Sequence, residues 1–436
     1  MLVATKSFET ALHAIREGLV RFGLDGTAPI ISAVSGGPDS LALSLLMQQI
    51  ANEGGRQHKA VIINHGLREA AAAEANIAAA AVAKFGIASE IHQICEPKPS
   101  GGIQAFARKH RLSLLAAAGR AAGAIVCFGH HRQDQAETIY MRLSKSSGLT
   151  GLSGMPELRV HEGCLFVRPL LSVPPELLSQ ICEDAGLTAV QDPSNYDRRF
   201  ERVRARQHLY QDTGLSQNLV QLGKAAGAIS AQLDSELVKR LQGHVVFNPP
   251  YAASFETEPF LQLPDLLRRR ALTISLLNIG AGEHPAGQNA ISALDTAVAN
   301  GQKTTLAGCI ITHESSHIRI FREARHLPEP LVLSDENAGH IFDRCWHITG
   351  VAGLRFAPLG VAGYRQLPKE SALRSYLAQW PYPTRLRFPV PTPLDVEGGA
   401  HHFKLMERWV NAPDTVADRF TLRLPLGRTR SISSWL

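Results

Sequence analysis

The chain has 436 residues, 44% of them hydrophobic, which predicts two or three domains with a sizeable core and excludes general disorder. Lys and Arg number 45 against 39 Asp and Glu, a mild excess that suits a polyanionic partner but equally fits plain solubility. The six cysteines form no C-x-x-C pair, and neither a signal peptide nor a membrane-spanning apolar run is visible. We therefore expect a cytoplasmic protein without a zinc ribbon, a redox pair or a membrane contact.

In the first half of the chain, short apolar runs alternate with longer helical patterns. The runs lie at 29–34, 60–63, 89–95 and 124–128, and the helical patterns at 41–50, 69–84, 104–122 and 133–143. Buried strands that alternate with helices are typical of βαβ units and a parallel sheet. We therefore predict an α/β domain over residues 1–214, with its ligands bound at the carboxyl ends of the strands.

The remainder of the chain has a different pattern. Helices are predicted at 219–241 and 263–277, and the segments 303–311 and 317–322 are predicted to form a hairpin. Residues 215–326 are therefore interpreted as a small helical domain. Residues 331–436 hold short strand patterns and many prolines, and we predict a β-rich C-terminal domain there.

A glycine-rich loop follows the first predicted strand and opens the first predicted helix. It consists of Ser35, Gly36, Gly37, Pro38, Asp39 and Ser40. The glycines let backbone N–H groups approach an anion, and the helix N-terminus adds its positive dipole end. The alternative is an ordinary turn with Asp39 as a helix cap. The loop lacks the Walker lysine and resembles the SGGxDS loop of N-type ATP pyrophosphatases, which implies ATP as a co-substrate.

Two acidic residues, Asp134 and Glu137, lie three positions apart in the helix predicted after the fourth strand. A helix places both carboxylates on one face. Facing a phosphate site, the pair indicates Mg²⁺ ligation or charge control at an adenylate. The alternative is a helix N-terminus that is enriched in acids without any chemistry.

Seven segments, taken in order, resemble the tRNA(Ile)-lysidine synthetases of the PP-loop superfamily over about residues 29–210. They are SGGPDS at Ser35, NHGLR at Asn64, ARKHR at Ala107, GHHRQDQAET at Gly129, SGLTGLSGM at Ser147, RPLL at Arg168 and DPSNYDRRFERVR at Asp192. The resemblance implies an adenosine-nucleotide α-hydrolase-like sheet, with helical and C-terminal domains that help to hold tRNA. It also implies a ligase that adenylates the wobble cytidine of tRNA(Ile) and attaches free L-lysine, with no obligate protein partner.

On this resemblance, the loop at 35–40 holds the leaving pyrophosphate, and Mg²⁺ lies near Asp39 and Asp134. Glu137 would bind the incoming lysine amine or help to deprotonate it, so Asp39, Asp134 and Glu137 are the candidate catalytic residues. The residues predicted to contact phosphate or tRNA are Arg108, Arg111, Lys145, Arg198, Arg199, Arg202, Arg204 and Arg206. Clustered arginines favour phosphate contact, although solvated helix faces are the alternative.

The sequence departs from the family pattern at four places. Gln133 replaces the first of two consecutive aspartates, Asn64 stands in a segment that usually reads Val-Asp-His, and Leu112 replaces a tyrosine. Lys145 replaces an arginine, which loses a bidentate fork for phosphate. Gln133 is expected to weaken a metal contact or to move it onto Asp134. Another PP-loop tRNA-modifying enzyme and a non-catalytic tRNA-binding relative therefore stay open as alternatives.

Overall fold

A six-stranded sheet lies at the centre of the N-terminal unit, residues 1–231. Its strands are β1 (Ile30–Val34), β2 (His58–Asn64), β3 (Ala88–Gln93), β4 (Ile125–Phe128), β5 (Leu158–His161) and β6 (Cys164–Val167). They follow the order β3-β2-β1-β4-β6-β5, and every neighbouring pair except β5–β6 is parallel. The predicted α/β class and its four predicted strands are confirmed.

Nine helices within the described part of the chain begin in this unit. They are α1 (Lys6–Arg21), α2 (Pro38–Glu53), α3 (Ala71–Ala83), α4 (Ile103–Ala122), α5 (Arg132–Ser144), α6 (Leu149–Leu152), α7 (Pro175–Asp184), α8 (Glu201–Tyr210) and α9 (Thr213–Leu241). Ile30 packs in the same apolar cluster as Leu45 of α2, whereas the next residue, Ile31, packs with Leu115 of α4. Because successive strand residues point to opposite faces, α2 and α4 cover the two sides of the sheet.

The computed structural model describes residues 5–67, 70–97, 99, 101–188, 197–210, 212–248, 252–280, 284–333, 340–343, 346–350, 353–393 and 420–423. Arg68, Trp409 and Trp435 lie outside these ranges, as do residues 192–196 of the arginine-rich segment.

The register of the sheet brings three strand ends to one edge. Ala33 of β1 pairs with Phe128 of β4, and Cys127 of β4 pairs with Val167 of β6. The residues that follow these strands therefore emerge side by side at the carboxyl edge. The loop after β1 and the start of α5 after β4 carry the predicted chemistry, and Arg168 after β6 lies at the same edge.

The antiparallel hairpin β5–β6 extends the sheet beyond the predicted strands. Its turn consists of Glu162 and Gly163, which have φ values of 47° and 75°. Two successive residues with positive φ are typical of a type I′ turn, the turn that matches the twist of a two-residue hairpin. Its strands are only four residues long, which explains why no apolar run predicted them.

The C-terminal unit, residues 232–436, begins with a five-stranded antiparallel sheet in the order β7-β8-β11-β10-β9. The strands are β7 (Val245–Asn248), β8 (Ala252–Glu256), β9 (Thr304–Leu306), β10 (Cys309–His313) and β11 (His317–Arg322). Helices α10 (Thr257–Leu261), α11 (Asp265–Ile279) and α12 (Gln288–Ala299) accompany it. The predicted helices and the β10–β11 hairpin are confirmed, but the sheet makes this region mixed rather than purely helical.

Beyond residue 330 the structure has two three-stranded sheets and three short helices among the described residues. The strands are β12 (Leu331–Val332), β13 (His340–Phe342), β14 (Trp346–Gly350), β15 (Leu354–Pro358), β16 (Pro389–Pro393) and β17 (Phe420–Arg423). The helices are α13 (Gly360–Gln366), α14 (Ala372–Ala378) and α15 (Tyr382–Arg385). The predicted strand-rich character is confirmed. Trp346 is buried against Phe388 and packs in the core.

Candidate active site

The loop between β1 and α2 is held in a fixed shape by its own hydrogen bonds. Ser40 Oγ accepts a bond from Ser35 N–H at 3.1 Å and donates one to the carbonyl of Gly37 at 2.9 Å. Gly36 has φ of 85°, a conformation that favours glycine, and Pro38 occupies the first turn of α2. The unpaired N–H groups at the start of this 16-residue helix therefore face outward from a preformed cradle suited to an anion.

Gly129 joins the β4–α5 turn to this loop. A Cβ atom at Gly129 would lie 2.9 Å from the carbonyl oxygen of Asp39 and 3.1 Å from the nitrogen of Ser40. Only glycine permits so close an approach of two backbones. The residues after Gly129 are therefore held directly beside the phosphate loop.

His131 stands between the loop and the acid pair. Its Nε2 lies 3.6 Å from Asp39 Oδ2 and 3.5 Å from Asp134 Oδ2, and its backbone N–H donates to Asp134 Oδ2 at 3.1 Å. Burial alone would lower the pKa of His131, but the carboxylates of Asp39 and Asp134 outweigh it and raise the pKa above its ordinary value. A histidine that links two carboxylates through a shared charge can fix the position of both.

The acid pair predicted from the sequence is brought together with two of the predicted arginines. Glu137 is fully buried and accepts bonds from Arg202 Nε at 2.8 Å and from Arg206 Nε at 2.6 Å. Arg202 Nη2 also donates to Asp134 Oδ1 at 2.9 Å. Burial would raise the pKa of Asp134, but His131 and Arg202 outweigh it and lower the pKa. Both carboxylates are thus compensated by cations in this arrangement.

The other three arginines of the segment face elsewhere. Arg202 and Arg206 lie four residues apart on the face of α8 that meets α5, whereas Arg204 is exposed and donates to the carbonyl of Arg198 at 2.9 Å. The Arg199 side chain is 86% exposed and pairs with Asp197 at 2.6 Å. The segment therefore divides into two arginines that contact the acids and three that are exposed.

Lys145, at the end of α5, is also on the surface. Its Nζ lies 2.6 Å from Glu201 Oε2, and both side chains are exposed. Arg108 and Arg111 lie on α4, where loss of solvation is the main factor that lowers both pKa values, that of Arg111 to about 10. Both groups stay charged at neutral pH.

Two contributors to the site were not singled out in the sequence. His131 was not predicted as a site residue, although a histidine three residues before Asp134 was a visible signal. Arg168, at the carboxyl end of β6, was likewise quoted only within RPLL. Its side chain is buried and lies over the ring of Phe128, with 5.8 Å from Cζ to the ring centroid.

Among the residues that the structure describes, no group of three or more histidine, cysteine or acidic side chains is placed to hold a metal ion. None of the described helices combines the length and the apolar character that crossing a membrane requires.

Comparison with known proteins identifies the chain's relatives. Residues 6–213 match the PP-loop domain family. The chain is 37% identical to a tRNA(Ile)-lysidine synthase of Novosphingobium aromaticivorans, over 70% of this chain and 91% of the relative. The enzyme of Bradyrhizobium diazoefficiens is 34% identical over 70% and 93%, and that of Ruegeria pomeroyi 30% identical over 77% and 80%. With this similarity and a phosphate loop placed beside Asp134 and Glu137, the chain belongs to the tRNA(Ile)-lysidine synthase family.

Proposed function

We propose that this chain is a ligase that uses ATP to activate the wobble cytidine of tRNA(Ile) and then attaches free L-lysine to it. The observation that carries the proposal is the meeting of the phosphate loop, Asp39, His131 and the acid pair at one edge of the sheet. A nucleotide bound in the loop would present its α-phosphate to a base and an amine held beside it.

In the first step, the carbonyl oxygen of the cytosine ring attacks the α-phosphorus of ATP. A new O–P bond forms, the bond between the α- and β-phosphates breaks, and pyrophosphate leaves. The N–H groups of Gly36 and Gly37 and the hydroxyl of Ser35 are the donors that would stabilise this leaving group. The fixed shape of the loop means that these donors need no reorganisation when charge develops.

In the second step, the ε-amine of lysine attacks the activated ring carbon, and the bond to AMP breaks. The amine must first lose a proton, since an ordinary lysine pKa is about 10.4. We assign this role to Glu137, whose carboxylate is buried and already binds two cationic groups. A lysine ammonium would take the place of one guanidinium, Arg202 or Arg206, both of which are about one-third exposed.

A Mg²⁺ ion fits part of the predicted set of ligands. Asp39 has a partly exposed carboxylate beside the loop, and Mg²⁺ commonly binds through one or two carboxylates together with substrate phosphates. Asp134 already contacts Arg202 and His131, so the ion would share this carboxylate with two cationic groups. When bound, Mg²⁺ neutralises charge that develops on the departing pyrophosphate.

The surface of the tRNA site is proposed from the exposed cations. Arg198, Arg199 and Arg204 form one exposed group at the start of α8, and Lys145 pairs with Glu201 of the same helix. Such groups bind phosphates through long-range attraction that salt weakens. The division into a catalytic domain (1–214), a tRNA-contacting domain (215–326) and a C-terminal domain (331–436) stays part of this proposal.

The two alternative functions are separated by one measurement of product formation. The purified chain is incubated with α-labelled ATP, lysine and a tRNA(Ile) transcript, and AMP release is followed with each component omitted in turn. We expect AMP release that requires tRNA and is faster with lysine than without it, because adenylated tRNA can only accumulate or hydrolyse when lysine is absent. Release with tRNA but independent of lysine would favour another PP-loop enzyme, and no release would favour a non-catalytic tRNA-binding relative.

A further inference from the structure

Four arginines lie near one another in the N-terminal unit, and no ion pair joins them to an acidic residue in the part of the chain that the structure describes. Arg108 and Arg111 come from α4, Arg159 from β5, and Arg168 from the end of β6. We call them the arginine cluster. The positive charges of other arginines lower the pKa of three members. Arg159 and Arg202 act on Arg108, and Arg108 acts on Arg111. Arg159 and Arg108 both act on Arg168. Within the described residues, no carboxylate forms an ion pair with Arg108, Arg111 or Arg168.

The cluster also contains buried donors that have no partner. Arg168 is 6% exposed, and its Nε has no hydrogen-bond partner in the described part of the chain. The same holds there for Nε of Arg111. Nδ1 of His130, two residues after Phe128, is also buried without a hydrogen-bond partner in that part of the chain. Buried polar atoms are hydrogen-bonded in most proteins, and those that are not commonly mark a ligand or water site. Loss of solvation lowers the pKa of Arg168 to about 10, a shift that a bound anion would reverse.

A purely structural role accounts for only part of these arginines. Arg168 Nη1 donates to the carbonyl of Pro156 at 2.8 Å, which ties β6 to the segment before β5. No such bond is present for Arg111 or Arg108 among the described residues. Mutual repulsion and burial both make this arrangement of arginines destabilising. If the arginines served folding alone, an acidic residue beside them would make the fold more stable. Gln133, three residues after His130, also has a buried Nε2 without a hydrogen-bond partner among the described residues.

The cluster lies close to the phosphate loop without being part of it. Arg168 is at the carboxyl edge, and Phe128, over whose ring it lies, stacks on His130 with 5.8 Å between ring centroids. One residue before His130, Gly129 touches the backbone of Asp39. Adjacent strands are about 4.8 Å apart, so the end of β6 lies roughly 10 Å from the end of β1, with β4 between them.

We infer that Arg108, Arg111, Arg159 and Arg168 form a second phosphate-binding site, separate from the loop at 35–40. The inference rests on the proposed function for its ligands, since ATP and tRNA are the two phosphate-bearing substrates. Arginine is suited to this role because its planar fork binds phosphate oxygens bidentately. Exposed Arg108 and Arg159 would meet the anion first, and the buried donors of Arg111 and Arg168 would complete its coordination.

The test compares Arg111→Gln and Arg108→Gln with Lys109→Gln. Lys109 is an exposed cation on the same helix, so its replacement removes the same charge without touching the cluster. Arg168→Gln is a fourth variant, checked by thermal unfolding because its bond to Pro156 supports the fold. Calorimetry measures binding of two ligands to each folded variant: α,β-methylene ATP and the anticodon stem-loop of tRNA(Ile).

We expect Arg111→Gln and Arg108→Gln to weaken one ligand about tenfold or more, and Lys109→Gln to change neither by more than about threefold. Weaker binding of the ATP analogue assigns the site to the nucleotide. Weaker binding of RNA, with a salt slope reduced by about one, assigns it to the tRNA backbone. Changes no larger than those of Lys109→Gln for both ligands would overturn the site.

These binding measurements require no turnover, so the inference and the proposed function can fail separately. If lysine attachment is normal and the substitutions leave binding of both ligands unchanged, only the inference of a second phosphate site is wrong. Variant-sensitive binding without any lysine attachment would reject the proposed function and leave the phosphate site in place.

Discussion

Replacing Glu137 and Asp134 one at a time should separate the two chemical steps. In Glu137→Gln, the adenylated tRNA should still form and then accumulate or hydrolyse, because the phosphate loop and Asp134 are intact. In Asp134→Asn, adenylation itself should fail. The residue before Asp134 is Gln133, so no carboxylate would remain at position 133 or 134.

Glu137→Gln should affect both the stability of the fold and the rate of lysine attachment. Glu137 accepts bonds from Arg202 and Arg206 at 2.8 and 2.6 Å, and breaking a buried ion pair typically costs about 3–5 kcal/mol. Both arginines are about one-third exposed and can regain water, so we expect about 1–3 kcal/mol of lost unfolding free energy for Glu137→Gln. Loss of the acid–base group should slow lysine attachment about a hundredfold to ten-thousandfold.

The assay follows AMP-labelled tRNA made from ATP labelled at the α-phosphate, with and without lysine. Glu183→Gln, which removes an exposed acid on α7, is the matched control and should behave like the unmodified chain. Urea unfolding of each variant confirms that it is folded under assay conditions. A rapid-quench time course separates formation of the adenylated tRNA from its consumption.

One result would refute the division of roles. If both variants lose adenylation and lysine attachment to the same extent while remaining folded, Asp134 and Glu137 act as one unit. The arrangement with Arg202 and Arg206 would then serve to position the nucleotide rather than the amine.

Three further outcomes are expected. Asp39→Ala should abolish AMP formation while far-UV circular dichroism stays unchanged, and near-normal ATP cleavage would remove the loop from the mechanism. A triple variant that replaces the exposed Arg198, Arg199 and Arg204 should bind tRNA more weakly and with a smaller dependence on salt. An unchanged slope of log K against log salt concentration would mean that these residues have a structural role. Burial lowers the pKa of His58 to about 4, so its neutral form contributes stability above pH 6.5 that is lost as the pH falls towards 4, about 3 kcal/mol in all. Between pH 7 and pH 4, the free energy of unfolding measured with urea should therefore fall less for His58→Gln than for the unmodified chain. An equal fall in both proteins would contradict this.

The N-terminal fold could be predicted because its signals are local. The strand that ends at Val34 is apolar except for Ser32, and the helix after it starts at a glycine and a proline, so a few neighbouring residues mark each boundary. The β5–β6 hairpin was missed because its strands are short and its turn is Glu162-Gly163, a weaker signal than Asn-Gly or Asp-Gly. Strands β7 and β8 of the C-terminal unit were missed for a related reason, since β7 has only four residues and β8 pairs with the distant β11.

The residues of the site were easier to find than their partners. Asp134 and Glu137 could be placed on one helical face from their spacing alone. Their pairing with Arg202 and Arg206 spans more than 60 residues, and no local pattern indicates which two of the five nearby arginines contact the acids. The charge balance of the site therefore depends on tertiary packing between α5 and α8, which the sequence does not state.

Mass spectrometry of nucleosides from tRNA incubated with the chain, ATP and lysine shows directly whether lysine becomes attached to the base. We predict a cytidine that carries lysine, found at the wobble position of tRNA(Ile) and absent when ATP or lysine is withheld. Unmodified cytidine at that position in the complete reaction, with a folded protein and intact ATP binding, would contradict it.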